Sequence, residues 1–167
     1  MAQDVMQDAQ AAYISPPMAL EEGWIDYNGH LNMAFYNVLF DRGTDGAFEE
    51  VGLGPDYRAR ENMSFFTAEA HVRYLRELHM GDEVRVTMRF LDHDEKRVHG
   101  WAELWHVDGW LSATCETMSL HVDMAGPKVV PFPVDVKRSL DAVAARQADL
   151  PRPDGAGRPI GIRRRAG

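Results

Sequence analysis

The stretch Trp24-Ile25-Asp26-Tyr27-Asn28-Gly29-His30-Leu31-Asn32-Met33-Ala34-Phe35-Tyr36 decides how the chain is read. Asn28-Gly29 is a turn signal, because both residue types tolerate positive φ, and Asn32 can cap a helix whose apolar periodicity begins at Met33. The chain therefore bends between Asp26 and Met33. Such a bend points the free N–H groups of the helix start toward whatever Asp26 faces, where they can stabilise an oxygen that is gaining negative charge. A carboxylate and an oxyanion site together suit acyl-group hydrolysis, although Asp is also a common turn residue in its own right.

Downstream, Met33, Tyr36, Phe40, Gly43/Thr44, Ala47 and Val51 recur at the three-to-four spacing of an amphipathic helix that should end at Gly52. Gly43 and Gly46 each cost roughly 1 kcal/mol relative to Ala inside a helix, so they imply close approach to another element. Asp56 to Asn62 follows Gly54-Pro55 as a short helix or loop. Strands come next. Phe66, Ala68, Ala70, Val72 and Tyr74 alternate with Thr67, Glu69, His71, Arg73 and Leu75, which puts an apolar set on one face. Val84, Val86, Met88 and Phe90 give the cleanest alternation, and a strand from Arg97 to Val107 leads through a two-residue Asp108-Gly109 hairpin into one from Trp110 to Asp123. Short turns make this half antiparallel. Val134 to Leu150, between Pro133 and Pro151, is a second helical pattern.

Upstream, Met18 to Ile25 reads as a first strand, with a bulge or exposed edge at Glu21-Glu22-Gly23. Residues 1–14 lack periodicity and read as a flexible lead, residues 15–150 as the domain, and 151–167 as a tail. The order of strand, long helix and four strands is α+β.

A chain of 167 residues with one cysteine, Cys115, forms one domain without a disulfide framework. Its formal net charge of −8 argues against a nucleic-acid partner, and Arg163-Arg164-Arg165 reads as a solvated tail. No apolar run approaches a membrane span and the N-terminal residues lack a secretory pattern, so a cytoplasmic location without a membrane partner is expected. His93, His99 and His106 are scattered and no metal spacing is recognised, nor is there a Gly-x-Ser-x-Gly elbow.

Asp26-Tyr27-Asn28-Gly29-His30-Leu31-Asn32 ahead of a long helix resembles the signature of hot-dog-fold acyl-CoA thioesterases of the 4-hydroxybenzoyl-CoA thioesterase-like group. Phe66 to Leu78, Leu91 to Arg97, His121-Val122-Asp123-Met124 and Leu150-Pro151-Arg152-Pro153 extend the resemblance over residues 15–162. The fuller set is similar to the betainyl-CoA thioesterase branch, which also occurs fused to carnitine dehydrogenases. The resemblance implies a curved antiparallel sheet wrapped around the long helix, an acyl pocket between two protomers, and a homodimer or a tetramer built from it. It also implies hydrolysis of a small acyl-CoA, betainyl-CoA foremost, with coenzyme A as part of the substrate and no cofactor.

Asp26 is then either the nucleophile that forms a mixed anhydride or the base that activates water. By the resemblance, the Met33 backbone N–H polarises the carbonyl. His30 is a general base or a brace for the loop, and Asn32 a plain cap or a contact to Asp26 or substrate. Trp24, Gly29, Tyr36 and Phe66 are candidate acyl-site residues, with Glu69 as counter-charge to an ammonium group. Lys96 and Arg97 are candidates for the phosphates of coenzyme A. The alternatives are a thioesterase for another short-chain or aromatic acyl group and a non-catalytic acyl-CoA-binding module.

Overall fold

The computed structural model describes residues 13–162, so most of the expected lead and the Arg163–Arg165 cluster lie outside the described residues. The long helix α1 runs Met33–Glu50, started by the Asn32 side chain, which accepts from the Ala34 N–H at 3.0 Å. It buries Tyr36, Leu39, Phe40, Gly43, Ala47 and Phe48. Fully burying a residue such as Leu39 contributes about 1.5–3 kcal/mol, which is why this face and not helix propensity sets the helix in place. Gly43 lies against Val86 and Gly46 against Tyr13; a Cβ at either would overlap these side chains. This is the close approach the two glycines imply.

Around α1 wraps an antiparallel sheet in the order β1-β4-β5-β6-β3, from β1 (Tyr13–Ile14), β3 (Met63–Tyr74), β4 (Glu83–His93), β5 (Arg97–His106) and β6 (Leu111–Asp123). Two-residue strands β2 (Met18–Ala19) and β7 (Lys128–Val129) pair with β4 and β6. A short helix α2 (Pro55–Glu61) precedes β3, and α3 (Val134–Gln147) packs against β4. Val84, Val86, Met88 and Phe90 are buried in β4, as their alternation requires. Among the described residues no helix is long and apolar enough to cross a membrane.

Four local readings differ from the sequence. Tyr13–Ile14, placed in the lead, pair with Met88 and Thr87 of β4. The first strand stops at Ala19, and Glu22–Trp24 is a 3₁₀ turn, because burying Trp24 draws the chain inward. The β5–β6 connection is a three-residue loop: the His106 N–H donates to the Trp110 carbonyl, and Gly109 takes the positive φ of 85°. Last, β3 carries a bulge between Thr67 and Glu69, with Thr67 opposite Ser119 and Glu69 opposite Met118. The extra residue inverts the pleat, so Phe65, Thr67 and Ala70 line the helix side while Phe66 and Glu69 leave it. The alternating apolar set expected in β3 is therefore split between two faces.

The C-terminal segment after α3 has no regular structure through Ile162 and lies on the outer face of the sheet. Arg89 donates to the Pro151 carbonyl, Arg73 to the Asp154 carbonyl, and the Gly157 N–H to the Glu116 carboxylate.

Candidate active site

The turn before α1 is wired almost entirely through its backbone. Ile25 bridges Leu31, the Asp26 N–H donates to the His30 carbonyl at 2.9 Å, and the Gly29 N–H donates to the Asp26 carbonyl at 3.0 Å. Gly29 adopts φ 80°, whereas Asn28 does not enter the positive-φ region. The Asn28 N–H donates to Asp26 Oδ1 at 2.7 Å, and Oδ2 has no partner among the described residues. Across the bridge, the Asn32 N–H donates to the Trp24 carbonyl, which fixes the helix start beside the turn. The Met33 N–H likewise has no acceptor among the described residues, while its carbonyl accepts from Tyr74 Oη at 3.3 Å. The side chain of Met33 is 66% exposed, so it is the backbone of this residue that the fold places.

This arrangement offers a half-buried carboxylate with one free oxygen, near a helix start with a free donor. It can deprotonate water or attack an acyl carbon, and it can stabilise the oxyanion that results. Cys115 does not compete as nucleophile: burial first, and then the charge of Glu116, push its thiol up to about 11.

The remaining sequence candidates separate by what each side chain touches. His30 Nε2 lies 3.3 Å from Glu77 Oε2, and the ring meets His79 edge to face at 5.0 Å. Asn32 is a helix cap, its Oδ1 spent on the Ala34 N–H. Trp24 and Tyr36 are core residues, not an open cage. Trp24 stacks on Phe35 at 5.4 Å and has the Arg42 guanidinium 5.1 Å from its ring centroid. Tyr36 is buried against Tyr74, and burial raises its phenol pKa. Phe66, 43% exposed, and Glu69 lie on the outer side of the bulge, and Glu69 lines a groove with His71, His99 and Glu116. Neither faces the helix-side pocket: the bulge takes Phe66 off the face it would otherwise share with Ala70, while Glu69 stays on the opposite, polar face.

Lys96 and Arg97 sit at the far end of the sheet. Arg97 pairs with Leu120, whereas Tyr74, which touches Met33, pairs with Ala113; seven residues of β6 separate the rows, about 23 Å. Arg97 is also committed, its Nε donating to Asp94 Oδ2 at 2.7 Å, while the exposed Lys96 side chain has no partner among the described residues.

Two features escape sequence reading. Between α1 and the sheet is a cavity of about 370 Å³, with Phe40, Phe48 and Phe65 on its walls and Asp41 and Asp45 on its lining. Phe48 and Phe65 stack at 3.9 Å. Neither carboxylate has a basic partner among the described residues, and Asp45 is raised above the usual carboxylate value by partial burial, then by Asp41 and Glu49. The sequence does carry a trace of this, since like charges four residues apart on a helix are unfavourable and call for a reason. The second feature concerns metals. His93, His99 and His106 are each drawn to carboxylates, at 2.8 Å from Asp141, 2.7 Å from Glu116 and 3.5 Å from Asp82. His30, Glu77 and His79, which no spacing rule joins, bring ligand atoms within 4.8 Å of one another.

Residues 20–140 match the family model of the thioesterase-like superfamily. The chain is 39% identical over 140 residues to the betainyl-CoA thioesterase of Pseudomonas aeruginosa, covering 83% of this chain and 88% of that one. It is 37% identical over 142 residues to the L-carnitine dehydrogenase/betainyl-CoA thioesterase of Rhizobium meliloti, 84% of this chain and 28% of the longer protein. Among solved structures, a Staphylococcus aureus protein, SAV2348, in complex with CoA superposes with a TM-score of 0.83 at 28% identity, over 91% of this chain and 96% of that one. With its wrapped helix and its Asp-bearing turn, the chain belongs to the thioesterase-like superfamily and is a thioester hydrolase of the hot-dog fold.

Proposed function

We propose that the chain hydrolyses betainyl-CoA to betaine and coenzyme A, with coenzyme A entering as part of the substrate and no cofactor taking part in the chemistry. The observation that carries the reaction is that Asp26 Oδ2 and the Met33 N–H, at the two ends of one short turn, both lack a partner among the described residues. The Met33 N–H holds the thioester oxygen as it gains charge. Asp26 either adds to the carbonyl carbon and expels the coenzyme A thiolate, leaving an anhydride for water to open, or takes a proton from the water that adds directly.

The acyl preference rests on Asp41, Asp45 and the aromatic walls, in place of Glu69. A quaternary ammonium group there relieves the repulsion of two unpaired carboxylates and meets aromatic faces. Asp41 lies eight residues beyond Met33 in the helix, about 12 Å along its axis, whereas two bonds separate the carbonyl carbon of a betainyl group from its nitrogen. One chain therefore cannot hold both ends of the acyl group. The reading accordingly includes a homodimer in which the turn of one protomer serves the cavity of the other. The exposed run Phe66–Ala70 on edge strand β3, beside the cavity, supports it. A tetramer would be built from that dimer. Lys96, without a partner among the described residues at the far end of the sheet, is the candidate for a coenzyme A phosphate; the acidic net charge fits a cytoplasmic protein.

The test compares kcat/KM for betainyl-CoA and for its neutral isostere, 3,3-dimethylbutyryl-CoA, by following coenzyme A release with a thiol reagent. Two aromatic faces at about 0.5–2 kcal/mol each predict roughly ten- to hundredfold preference for the cation. Equal constants would reject betainyl-CoA and leave a general short-chain thioesterase. Preference for an aromatic ester would assign the Phe48–Phe65 stack to a ring. No release from any ester would leave an acyl-CoA-binding module. Light scattering on the active protein should show a dimer, and an active monomer would reject the shared pocket.

A further inference from the structure

The turn that carries Asp26 is held against the β3–β4 connection, and the contact is made of metal-binding side chains. Leu78 is fully buried and its carbonyl accepts from the Leu31 N–H at 2.8 Å. In extended chain, neighbours of an inward residue point outward, so Glu77 and His79 both leave the core on one side. His30 bridges His79 in the backbone and so arrives on that same side. Two imidazoles and a carboxylate converge there from segments 47 and 49 residues apart, with ligand atoms within 4.8 Å of one another.

We propose that His30, Glu77 and His79 form a site for a borderline divalent transition metal of the zinc class, which staples the Asp26 turn to the β3–β4 connection. Zinc takes imidazole nitrogen and carboxylate oxygen at about 2.0–2.2 Å, and tetrahedral ligands at that length stand about 3.4 Å apart. His30 Nε2 and Glu77 Oε2, at 3.3 Å, already have that separation. His79 completes the triad by a side-chain rotation, since its N–H is anchored on Asp82 Oδ2 at 2.8 Å and its backbone on His30. The backbone bonds hold the two segments together before any metal arrives, so binding does not have to close a 47-residue loop. Two nitrogens and one oxygen disfavour magnesium and calcium, which seek all-oxygen shells. The ion has a structural task, because His30 touches Asp26 only through the backbone bond between them.

The experiment is equilibrium dialysis of the full chain against Zn²⁺ alone, with metal counted per chain, and against Mg²⁺ in parallel. One zinc per chain and no magnesium is the expected result, with zinc affinity at least tenfold weaker in both Glu77→Gln and His79→Gln and unchanged in His93→Gln. Zinc should also slow hydrogen exchange at the Asp26, Gly29 and Leu31 amides in wild type and not in His79→Gln. Wild-type affinity in His79→Gln, loss of binding in His93→Gln, or no saturable zinc at all would overturn the site.

Discussion

Two turns in this molecule are built on the same device and put to different uses. At one end of the sheet the Asn28 N–H donates to Asp26 Oδ1; at the other the Lys96 N–H donates to Asp94 Oδ1 at 2.9 Å. In both, an Asp side chain closes the turn on a backbone donor two residues on. The difference lies in the second oxygen. Asp94 Oδ2 is taken by the Arg97 guanidinium, whose bond, with those of the Lys96 and Arg97 amides, lowers the carboxyl to about 2. Among the described residues, nothing takes Asp26 Oδ2. The same contrast extends to the surroundings. The Asp94 end holds His121, fully buried between Tyr57 Oη at 2.8 Å and the Val130 carbonyl at 3.0 Å, and the His93–Asp141–Lys137 chain. Asp94, Arg97, His121, His93 and Asp141 are all paired there, which is what stability asks of a polar group. Among the described residues, the Asp26 end keeps a carboxylate oxygen and a helix N–H unpaired, and reactivity resides in such unpaired groups.

Substitutions at the two ends should therefore have opposite consequences. Asp26→Asn still accepts the Asn28 N–H, so unfolding should be little changed while turnover falls at least about a hundredfold; near-normal turnover in the folded variant would remove Asp26 from the mechanism. Tyr57→Phe should do the reverse. It leaves a buried His121 nitrogen without its partner, so denaturant unfolding should show a loss of about 1–3 kcal/mol with kcat intact, and an unaltered midpoint would mean the bond adds nothing.

The cavity carboxylates sharpen the comparison on the functional side. Asp45→Asn should lower the preference for betainyl-CoA over 3,3-dimethylbutyryl-CoA by about tenfold, chiefly through the charged ester. An unchanged ratio would return the preference to the aromatic walls. The smallest effect concerns Asp94. Because its folded pKa lies below the unfolded value of 3.8, its contribution is complete above that value and is lost as pH falls toward about 2. Thermal midpoints of wild type and Asp94→Asn should therefore differ at neutral pH and converge in acid; a difference that persists at pH 2 would assign the effect to shape and not to charge.

What the sequence discloses follows from where its signals are local. The Asn32 cap and the spacing of Tyr36, Phe40, Gly43 and Ala47 place α1 to within a few residues, and the alternation from Val84 to Phe90 places β4. The turn at Gly29 is equally local. The bulge at Thr67–Glu69 is not, because Phe66, Ala68 and Ala70 go on alternating through it, and small residues fit either face. That one inserted residue turns Phe66 away from the face of Ala70, while Glu69 keeps the polar face that its alternation predicts. Trp24 and Tyr36 are buried, and aromatic residues near such a turn read the same in sequence whether they face a ligand or the core. Arg97 looked available because its partner, Asp94, shows its hold only once the turn is folded. The convergence of Glu77 and His79 on His30 depends on a backbone bridge across 47 residues and more, which no local pattern encodes.

The central claim is that a helix-start N–H left free by the fold holds the developing oxyanion beside Asp26, and Met33→Pro tests it most directly. Met33 is the first residue of α1, where proline fits the helix, and Asn32 already has the extended φ −61°, ψ 138° that a following proline requires. The substitution removes the donor and little else. Measured as kcat for betainyl-CoA alongside the thermal midpoint, the variant should lose roughly a hundredfold or more in turnover with its midpoint unchanged. A folded Met33→Pro protein that turns over like wild type would contradict the account.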